Sequence, residues 1–431
     1  MAHELTSGVA RPKLRLEGWV IDAAFLGLLL LAFVGVQPFA LRNPATDLQV
    51  GPYTATGGGD WVRQLFYVLL FVSVGAAAFF RRGLALVTAV PPMILVTLLW
   101  CVVTALWATA PDVAVRRAGL AIVVAVSAFL CVDTIGAERS FRIWWFVLAG
   151  VLTVNWLSIP LVHQAVHLPG EQDVGLVGDW RGLYFHKNIA GAVCAVSALV
   201  FGFSALKSKR WIDVVLCLAA IGFTVMTKSK TSLGLLFVAF AMGLAYRFAW
   251  RRDLDRMIAG IAVLLCAMLL AAFLVVDSDA ISRMLQDPAE FTGRAAIWQA
   301  ELAFVADHPL LGSGFGTFAD SGTLSPLHNY VAGSWVEQVA HGHSGYLQLL
   351  VTIGGVGFAL TILACVIVPL WQFWTLRGGD LNMVAMLFAI FVFIVLHNFL
   401  ESDFLEGDSP AWMSFLLMLA FLRAPETRRA A

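Results

Sequence analysis

Charged side chains are scarce in this chain. Of its 431 residues, 13% are Asp, Glu, Lys or Arg and 60% are hydrophobic, whereas an ordinary soluble domain has about 25% charged residues. Regularly alternating segments of about ten residues, which a membrane β-barrel requires, are also lacking. Many apolar runs instead reach or approach the roughly 20 residues that cross a bilayer as a helix. The composition therefore excludes an ordinary soluble domain and predicts an all-α polytopic membrane protein.

Cysteine is also rare, and no two cysteines have CxxC spacing. Every one of them lies inside an apolar run, which indicates buried packing residues rather than disulfides or metal ligands. The formal net charge of zero indicates no partner, because in a membrane protein the distribution of charge across the bilayer carries the information. The six cysteines are Cys101, Cys131, Cys194, Cys217, Cys266 and Cys365.

The apolar runs predict twelve membrane spans, and the first lacks the small-residue cleavage site of a removed signal peptide. Pro91 and Pro92 are expected to kink the third span near its start. The chain then divides into 1–276 with nine spans, 277–342 as one long outer loop, and 343–431 with three spans and a cytoplasmic tail. The predicted spans are 19–41, 61–80, 84–107, 117–135, 143–165, 188–206, 211–227, 231–249, 257–276, 344–373, 381–400 and 411–423.

Basic residues indicate the orientation of these spans, because Lys and Arg concentrate in the inner loops of membrane proteins. With the N-terminus inside, 18 of the 28 Lys and Arg residues fall in inner segments, while 18 of the 28 Asp and Glu residues fall outside. This alternation places both termini in the cytoplasm and requires an even number of spans. The long loop 277–342 then faces outward.

Ten basic residues lie outside against this bias, and five of them stand beside predicted helices. Arg181 and Lys187 occupy the loop before the sixth span, Lys228 and Lys230 lie in a very short turn, and Arg294 lies in the long loop. Such side chains either reach lipid headgroups or bind an anionic substrate. We favour the substrate for Arg181 and Arg294, because neither has a carboxylate partner in its own turn. The planar guanidinium also pairs well with phosphate oxygens.

A helix is predicted over 292–308, where Trp298, Leu302 and Val305 recur at helical spacing before Pro309. We expect this helix to lie across the mouth of the membrane domain. Arg294 falls in its first turn, where the helix dipole disfavours a cation. An anion held between Arg294 and the exposed N–H groups would relieve the conflict, since helix N-termini bind phosphate readily.

A histidine pair, His341 and His343, stands at the start of the tenth span. His343 and Ser344 are followed by nine positions and then by Gly-x-x-Gly at Gly354 and Gly357. At a membrane boundary near outward arginines, His343 can orient or deprotonate a hydroxyl group at neutral pH. Two alternatives stay open, a zinc ligand in a His-x-His pair that lacks a third ligand at the usual spacing, and a histidine with a purely structural role.

Three further groups have both a functional and a simpler interpretation. His186 either contacts substrate or shapes its loop. The acids of the last outer loop, 401–408, have three possible roles: they form ion pairs with the basic residues, they bind a cation, or they are simply solvated. We favour solvation. Gly312, Gly314 and Gly316 form a flexible turn rather than a nucleotide-binding loop, because no strand precedes them and they follow a helix.

Four stretches, taken in order and on this topology, together resemble the O-antigen ligase superfamily, which includes Wzy-type and ExoQ-like polysaccharide polymerases. The resemblance covers roughly 180–360. The last stretch fits the ligase pattern of His, a small polar residue, nine positions and GxxG, with Ser344 in place of the commoner asparagine; the specificity lies in the ordered set rather than in any one motif. The four stretches are RGLYFHKNIAG, KSKTSLG, GRAAIWQAELAFVADHPLLGSGFGTF and HSGYLQLLVTIGGVG.

The resemblance implies a glycosyltransferase at the periplasmic face of a bacterial inner membrane. Such enzymes move a glycan from undecaprenyl pyrophosphate to a hydroxyl acceptor, and they need neither metal nor nucleotide. By position, Arg181 and Arg294 would hold the pyrophosphate and His343 would be the essential histidine. Lys187, His186, Lys228, Lys230, His341 and Ser344 would be further substrate-binding residues.

The acceptor is not determined by the sequence. It is a further repeat unit in a polymerase, lipid A-core in a ligase, or a serine or threonine in a protein oligosaccharyltransferase, and we favour the ExoQ-like polymerase. Other expected partners are the bilayer and, in some polymerases, a chain-length regulator protein; no nucleic-acid partner is expected. A transporter is a remote alternative, since intramembrane charges mark transport pathways but few charges occur within these spans.

Overall fold

The computed structural model of the chain describes residues 16–40, 61–169, 174–249, 294–319, 324–331, 342–376, 378–407, 409–424 and 427. These residues form helices and no strands, apart from one isolated antiparallel bridge between Val166 and Trp180. In chain order the α-helices are α1 (Leu16–Phe33), α2 (Trp61–Arg82), α3 (Pro92–Val103), α4 (Pro111–Ile135), α5 (Ala137–Leu161), α6 (Lys187–Ser208), α7 (Trp211–Met226), α8 (Lys230–Ala249), α9 (Arg294–Asp307), α10 (His328–Val331), α11 (Gly345–Ile362), α12 (Val368–Thr375), α13 (Leu381–His397) and α14 (Pro410–Arg423).

Apolar helices lie at eleven of the twelve predicted spans. Six of these helices are long and apolar enough to cross a membrane, and five are shorter apolar helices of 10–17 residues. The ninth predicted span, 257–276, lies outside the described residues. The structure therefore confirms an all-helical, multi-pass membrane protein, while the number of crossings and their orientation stay predictions.

Helix α6 lies at the centre of the fold. Every residue from Ala190 to Phe203 is buried, as expected for a helix that is apolar on all sides. Small residues let its neighbours approach closely: a side chain at Gly191 would press on Ser229 in the α7–α8 connection and on Ser232 in α8. The outer helices instead expose large apolar side chains, among them Leu84 at 83% and Leu106 at 84%. These surfaces suit contact with lipid rather than water.

The third predicted span begins later than the predicted 84–107. Residues Gly83–Ala89 form a 3₁₀ segment that continues α2, and α3 starts only at Pro92. Proline lacks an N–H group and fits the first turn of a helix but not its interior, so the pair Pro91–Pro92 interrupts the run, as expected. The cysteine prediction also agrees: the five described cysteines are free and at least half-buried, and Cys266 lies outside the described residues.

Helix α9 closely matches the predicted helix, but the residues whose spacing indicated the helix are not its most buried ones. Leu302 is 47% exposed, whereas Ile297, Glu301 and Phe304 are buried. The difference amounts to a rotation of about one residue, or 100°, around the helix axis. The apolar spacing does not identify the buried face, because that face also contains the carboxyl group of Glu301, which a hydrophobic pattern does not recognise.

Helix α11 is broken at Gly354, whose backbone has φ of 68° and ψ of −178°. The amides freed by the break are satisfied by the segment after α9: Gly355 N donates to Pro309 O at 2.9 Å and Val356 N to Leu310 O at 3.3 Å. The carbonyl of Ile353, just before the break, accepts a hydrogen bond from Trp100 Nε1 at 3.0 Å. Backbone irregularity in a membrane protein requires such compensation, and here it fixes α9 against α11.

Candidate active site

The carboxylate of Glu401 lies where three distant parts of the chain meet. Arg294 Nη2 donates to Glu401 Oε1 at 2.8 Å, and Asn188 Nδ2 donates to the same oxygen at 2.6 Å. His343 Nδ1 lies 3.5 Å from the other oxygen, Glu401 Oε2. Arg294 also donates through Nη1 to Leu400 O at 2.6 Å. We call Asn188, Arg294, His343 and Glu401 the Glu401 cluster.

Helix N-termini converge on this cluster. Asn188 is the second residue of α6 and Arg294 the first of α9, and the amide of Gly345, the first residue of α11, donates to Glu401 O at 2.9 Å and Asn398 O at 2.8 Å. The N-terminal end of a helix carries a partial positive charge. Glu401 thus pairs with Arg294, for which the sequence had predicted a substrate anion.

Charge in the cluster lowers the pKa of the Glu401 carboxyl to about 2. Burial by itself raises this pKa, but contact with His343 and the charges of His397 and Arg294 outweigh the effect of burial. Glu401 is therefore ionised throughout the physiological pH range, and it neutralises the cations around it without carrying a proton itself.

His343 has one ring nitrogen near Glu401, and its side chain is 35% exposed. Its backbone lies in the left-handed region with φ of 49°, a conformation that histidine adopts more readily than most residues. The turn is held by α9, because Trp298 Nε1 donates to Gly342 O at 2.9 Å. A carboxylate on one ring nitrogen orients the imidazole so that the other nitrogen can accept or donate a proton.

Arg181 is fully buried and supports the loop before α6. Its Nε donates to Gln164 O at 2.7 Å and its Nη1 to Phe185 O at 3.1 Å. This arrangement fixes the loop that leads to Asn188. The predicted role of Arg181 as a direct pyrophosphate ligand stays a prediction.

Two of the three predicted lysines share one acid. Asp179 pairs with Lys187 Nζ at 2.6 Å and with Lys228 Nζ at 2.7 Å. Burial raises the pKa of Asp179, but its bonds to these lysines outweigh burial and lower the pKa overall. Lys228 keeps two thirds of its side chain exposed. Lys230 is exposed at the start of α8, and no partner for it occurs among the described residues.

His186 shapes its loop, one of the two roles considered for it. Its Nδ1 accepts from Asn188 N at 3.2 Å, which caps α6. Ser344 is buried at the N-cap of α11, where its carbonyl accepts from Gln348 N at 2.8 Å. His341 lies outside the described residues. Within the described part of the chain, no three His, Cys, Asp or Glu side chains form a group that could hold a metal ion.

A second polar network supports the cluster from inside the protein. His397 Nδ1 lies 2.6 Å from Asp403 Oδ2, and its Nε2 lies 3.3 Å from Ser232 Oγ. Asn398 Oδ1 accepts from the amides of Asp403 and Phe404. These buried bonds tie the loop that carries Glu401 to α8 and α13, so they fix the position of its carboxylate.

Two site residues, Glu401 and Asn188, were missed by sequence reasoning. The acids at 401–408 were considered as partners of the basic residues, but solvation was favoured for them, which is wrong for Glu401. Asn188 belongs to the quoted HKN stretch and was given no role. The signal that was overlooked was the unpaired cation in the first turn of α9, which requires a buried acid from elsewhere.

Comparison with known protein families gives a match to the part of the chain that contains several of these site residues. The family model described as O-Antigen ligase matches residues 214–362, a region that contains Lys228, Lys230, Arg294 and His343. No curated protein matches the chain. The matched region begins in α7 and ends at the last residue of α11, so it includes both the helix that carries Arg294 and the broken helix after His343. Residues 214–362 therefore match the O-antigen ligase family, and this match supports the resemblance found in the motifs.

Proposed function

We propose that this membrane enzyme transfers a glycan from undecaprenyl pyrophosphate to a hydroxyl acceptor at the outer face of a bacterial inner membrane, and that it polymerises repeat units of an exopolysaccharide or O-antigen. The observation that supports this most strongly is the Glu401 cluster. It joins Arg294 and His343, both inside the family match, through one carboxylate.

In this reaction the acceptor hydroxyl oxygen attacks the anomeric carbon of the donor sugar. The bond from that carbon to the pyrophosphate oxygen breaks, and its electron pair leaves with the lipid pyrophosphate. His343 takes the hydroxyl proton on the ring nitrogen that faces away from Glu401. A positioned base of this kind contributes roughly 10²–10⁴ in rate.

The leaving pyrophosphate carries negative charge, which the cluster and its neighbours stabilise. Arg294, Lys228 and Lys230 supply positive charge, and the N-termini of α6, α9 and α11 add partial positive charge. Charge-assisted hydrogen bonds of this type contribute about 1.5–3 kcal/mol each. Arg181 and Lys187 contribute by holding the loop in place, through Phe185 O and Asp179 respectively.

Complementation of a deletion strain tests this function. The strain receives wild type, His343→Ala, Arg294→Ala or, as a matched control, Arg116→Ala, which removes an arginine that pairs with Asp112 in its own helix. Surface lipopolysaccharide is separated by size, and secreted polysaccharide is measured in parallel. We expect deletion to abolish the secreted polymer while lipopolysaccharide stays intact, and only wild type and Arg116→Ala to restore the polymer.

Other outcomes would revise the proposal. Loss of capped lipopolysaccharide, with accumulation of lipid-linked polymer, would make the protein an O-antigen ligase. Unchanged glycans in both assays combined with loss of glycosylated protein would make it a protein oligosaccharyltransferase. Full rescue by both His343→Ala and Arg294→Ala would remove the Glu401 cluster from the mechanism.

A further inference from the structure

A second concave site lies at the opposite end of α9 from the Glu401 cluster. The cleft has a volume of about 350 Å³, and its described lining includes Trp107, His308, His328, Asn329 and Tyr330. Arg294 and Phe304, which also lines the cleft, are ten residues apart in α9, so the two sites are separated by about 15 Å along the helix. Sites for small molecules typically have about 300–1,000 Å³, so this cleft has room for a ligand of one or two rings.

Aromatic rings with fixed positions line the cleft. Trp107 Nε1 donates to Leu311 O at 3.2 Å, and its ring contacts Trp100 at a centroid distance of 5.7 Å. Tyr330 donates its hydroxyl to Asp307 Oδ2 at 2.8 Å and packs edge-on against Phe304. Rings whose polar atoms are already bonded offer rigid apolar faces, which lowers the entropy lost when a ligand binds.

Three polar side chains of the lining have no hydrogen-bond partner among the described residues: His308, whose ring stacks on Phe304 at 4.5 Å, His328 and Asn329. The described lining contains no Asp, Glu, Lys or Arg. A phosphate would require a basic residue here and a cation an acidic one. Apolar ring faces beside neutral donors and acceptors instead match a sugar, which has C–H groups on its faces and hydroxyl groups around its edge.

We propose that this cleft is a glycan-binding subsite that holds sugar units several positions away from the reacting one. The inference rests on the proposed glycan transfer and adds a part of the substrate that the Glu401 cluster does not contact. Because the two sites are about 15 Å apart, a glycan of one sugar reaches only the cluster, whereas a chain of three repeat units reaches both. Such an enzyme prefers long chains.

Transfer kinetics with glycans of different length test the subsite. The probes are glycans of one sugar and of three repeat units, made by partial hydrolysis of the polysaccharide that the wild-type host secretes; they are used free as acceptors and coupled to undecaprenyl pyrophosphate as donors. In one arm the acceptor length varies while the lipid-linked donor carries a single repeat unit, and in the other arm the donor length varies. The purified wild-type protein, the double variant His328→Ala/Asn329→Ala and the control Gln299→Ala, an exposed position of α9 away from the cleft, are compared.

We expect wild type and Gln299→Ala to show about tenfold higher kcat/KM for the long glycan in one of the two arms, equivalent to about 1.4 kcal/mol. The double variant should lose this preference and keep the kcat/KM for the short glycan, and the arm that responds identifies the glycan as donor or acceptor. Equal kcat/KM for both lengths in wild type, or a preserved preference in the double variant, would overturn the subsite and leave the proposed function intact. Absence of transfer by wild type in both arms would overturn the proposed function and the subsite with it.

Discussion

At the scale of single residues, Glu401 controls the charge of the site. Its carboxylate compensates Arg294 at the start of α9 and lies beside His343. A buried cation without a partner is costly, so Arg294 depends on this acid. Because Glu401 and Arg294 are 107 positions apart, no local pattern links them. The sequence alone indicated Arg294 and His343 as candidate site residues. Their common partner, Glu401, could be identified only in the folded chain.

Glu301 is a second buried acid, and its burial makes the stability of the folded protein depend on pH. It is 1% exposed, and its Oε2 has no hydrogen-bond partner in the described part of the chain. Burial raises its pKa from 4.5 to about 8. The folded protein therefore retains this proton where the unfolded chain loses it, so the cost of burying Glu301 is absent below about pH 4.5 and grows as the pH rises towards 8.

We predict that Glu301→Gln removes this growing cost, because the amide is neutral at every pH. Thermal unfolding of wild type and Glu301→Gln at pH 5, 7 and 9 measures the effect. The variant should gain stability relative to wild type as the pH rises, by up to several kcal/mol. A difference between the two proteins that is the same at all three pH values would show that Glu301 does not titrate in this range.

At the scale of secondary-structure elements, the break in α11 explains the spacing of the GxxG pattern. Gly354 adopts a backbone conformation that is nearly restricted to glycine, and a side chain there would overlap the Leu310 carbonyl. A side chain at Gly357 would press on Ile353. The sequence showed the two glycines and the turn over 312–316 as separate features. Their contact could not be predicted, because it depends on how α9 returns to α11.

Gly354→Ala is therefore expected to destabilise the protein, by about 1–3 kcal/mol from backbone strain and further from the clash with Leu310. Gly150→Ala in α5 is the matched control, since a side chain there meets no atom within 4 Å and alanine favours a helix by about 0.5–1 kcal/mol. Thermal unfolding in detergent compares them. An equal unfolding temperature for Gly354→Ala and Gly150→Ala would contradict the role of the break.

At the scale of the whole molecule, composition determined the fold class and the chain order of the spans. Apolar runs located eleven helices, because burial in lipid requires length and hydrophobicity rather than specific contacts. The start and rotation of each helix were less predictable, as α3 and α9 show. They depend on prolines, on buried polar residues and on neighbouring helices, none of which a hydropathy pattern contains.

The scaffold brings residues from the α6 start, the α9 start, the α11 start and the last loop to one place. The long distances in sequence make this site sensitive to the whole fold, since a shift of any one of these helices separates Glu401 from its partners. We therefore expect residues that support the cluster without belonging to it, such as the His397–Asp403 pair, to influence activity through its geometry.

The most direct measurement is glycan transfer from undecaprenyl pyrophosphate by the purified protein, in wild type, His343→Gln, Glu401→Gln and the double variant. We predict that each single change lowers kcat/KM by roughly 10²–10⁴. The kcat/KM of the double variant should equal that of the less active single variant, because the effects of residues that act as a unit are not additive. Rates within tenfold of wild type for both single variants, or losses that multiply in the double variant, would contradict a catalytic unit of His343 and Glu401.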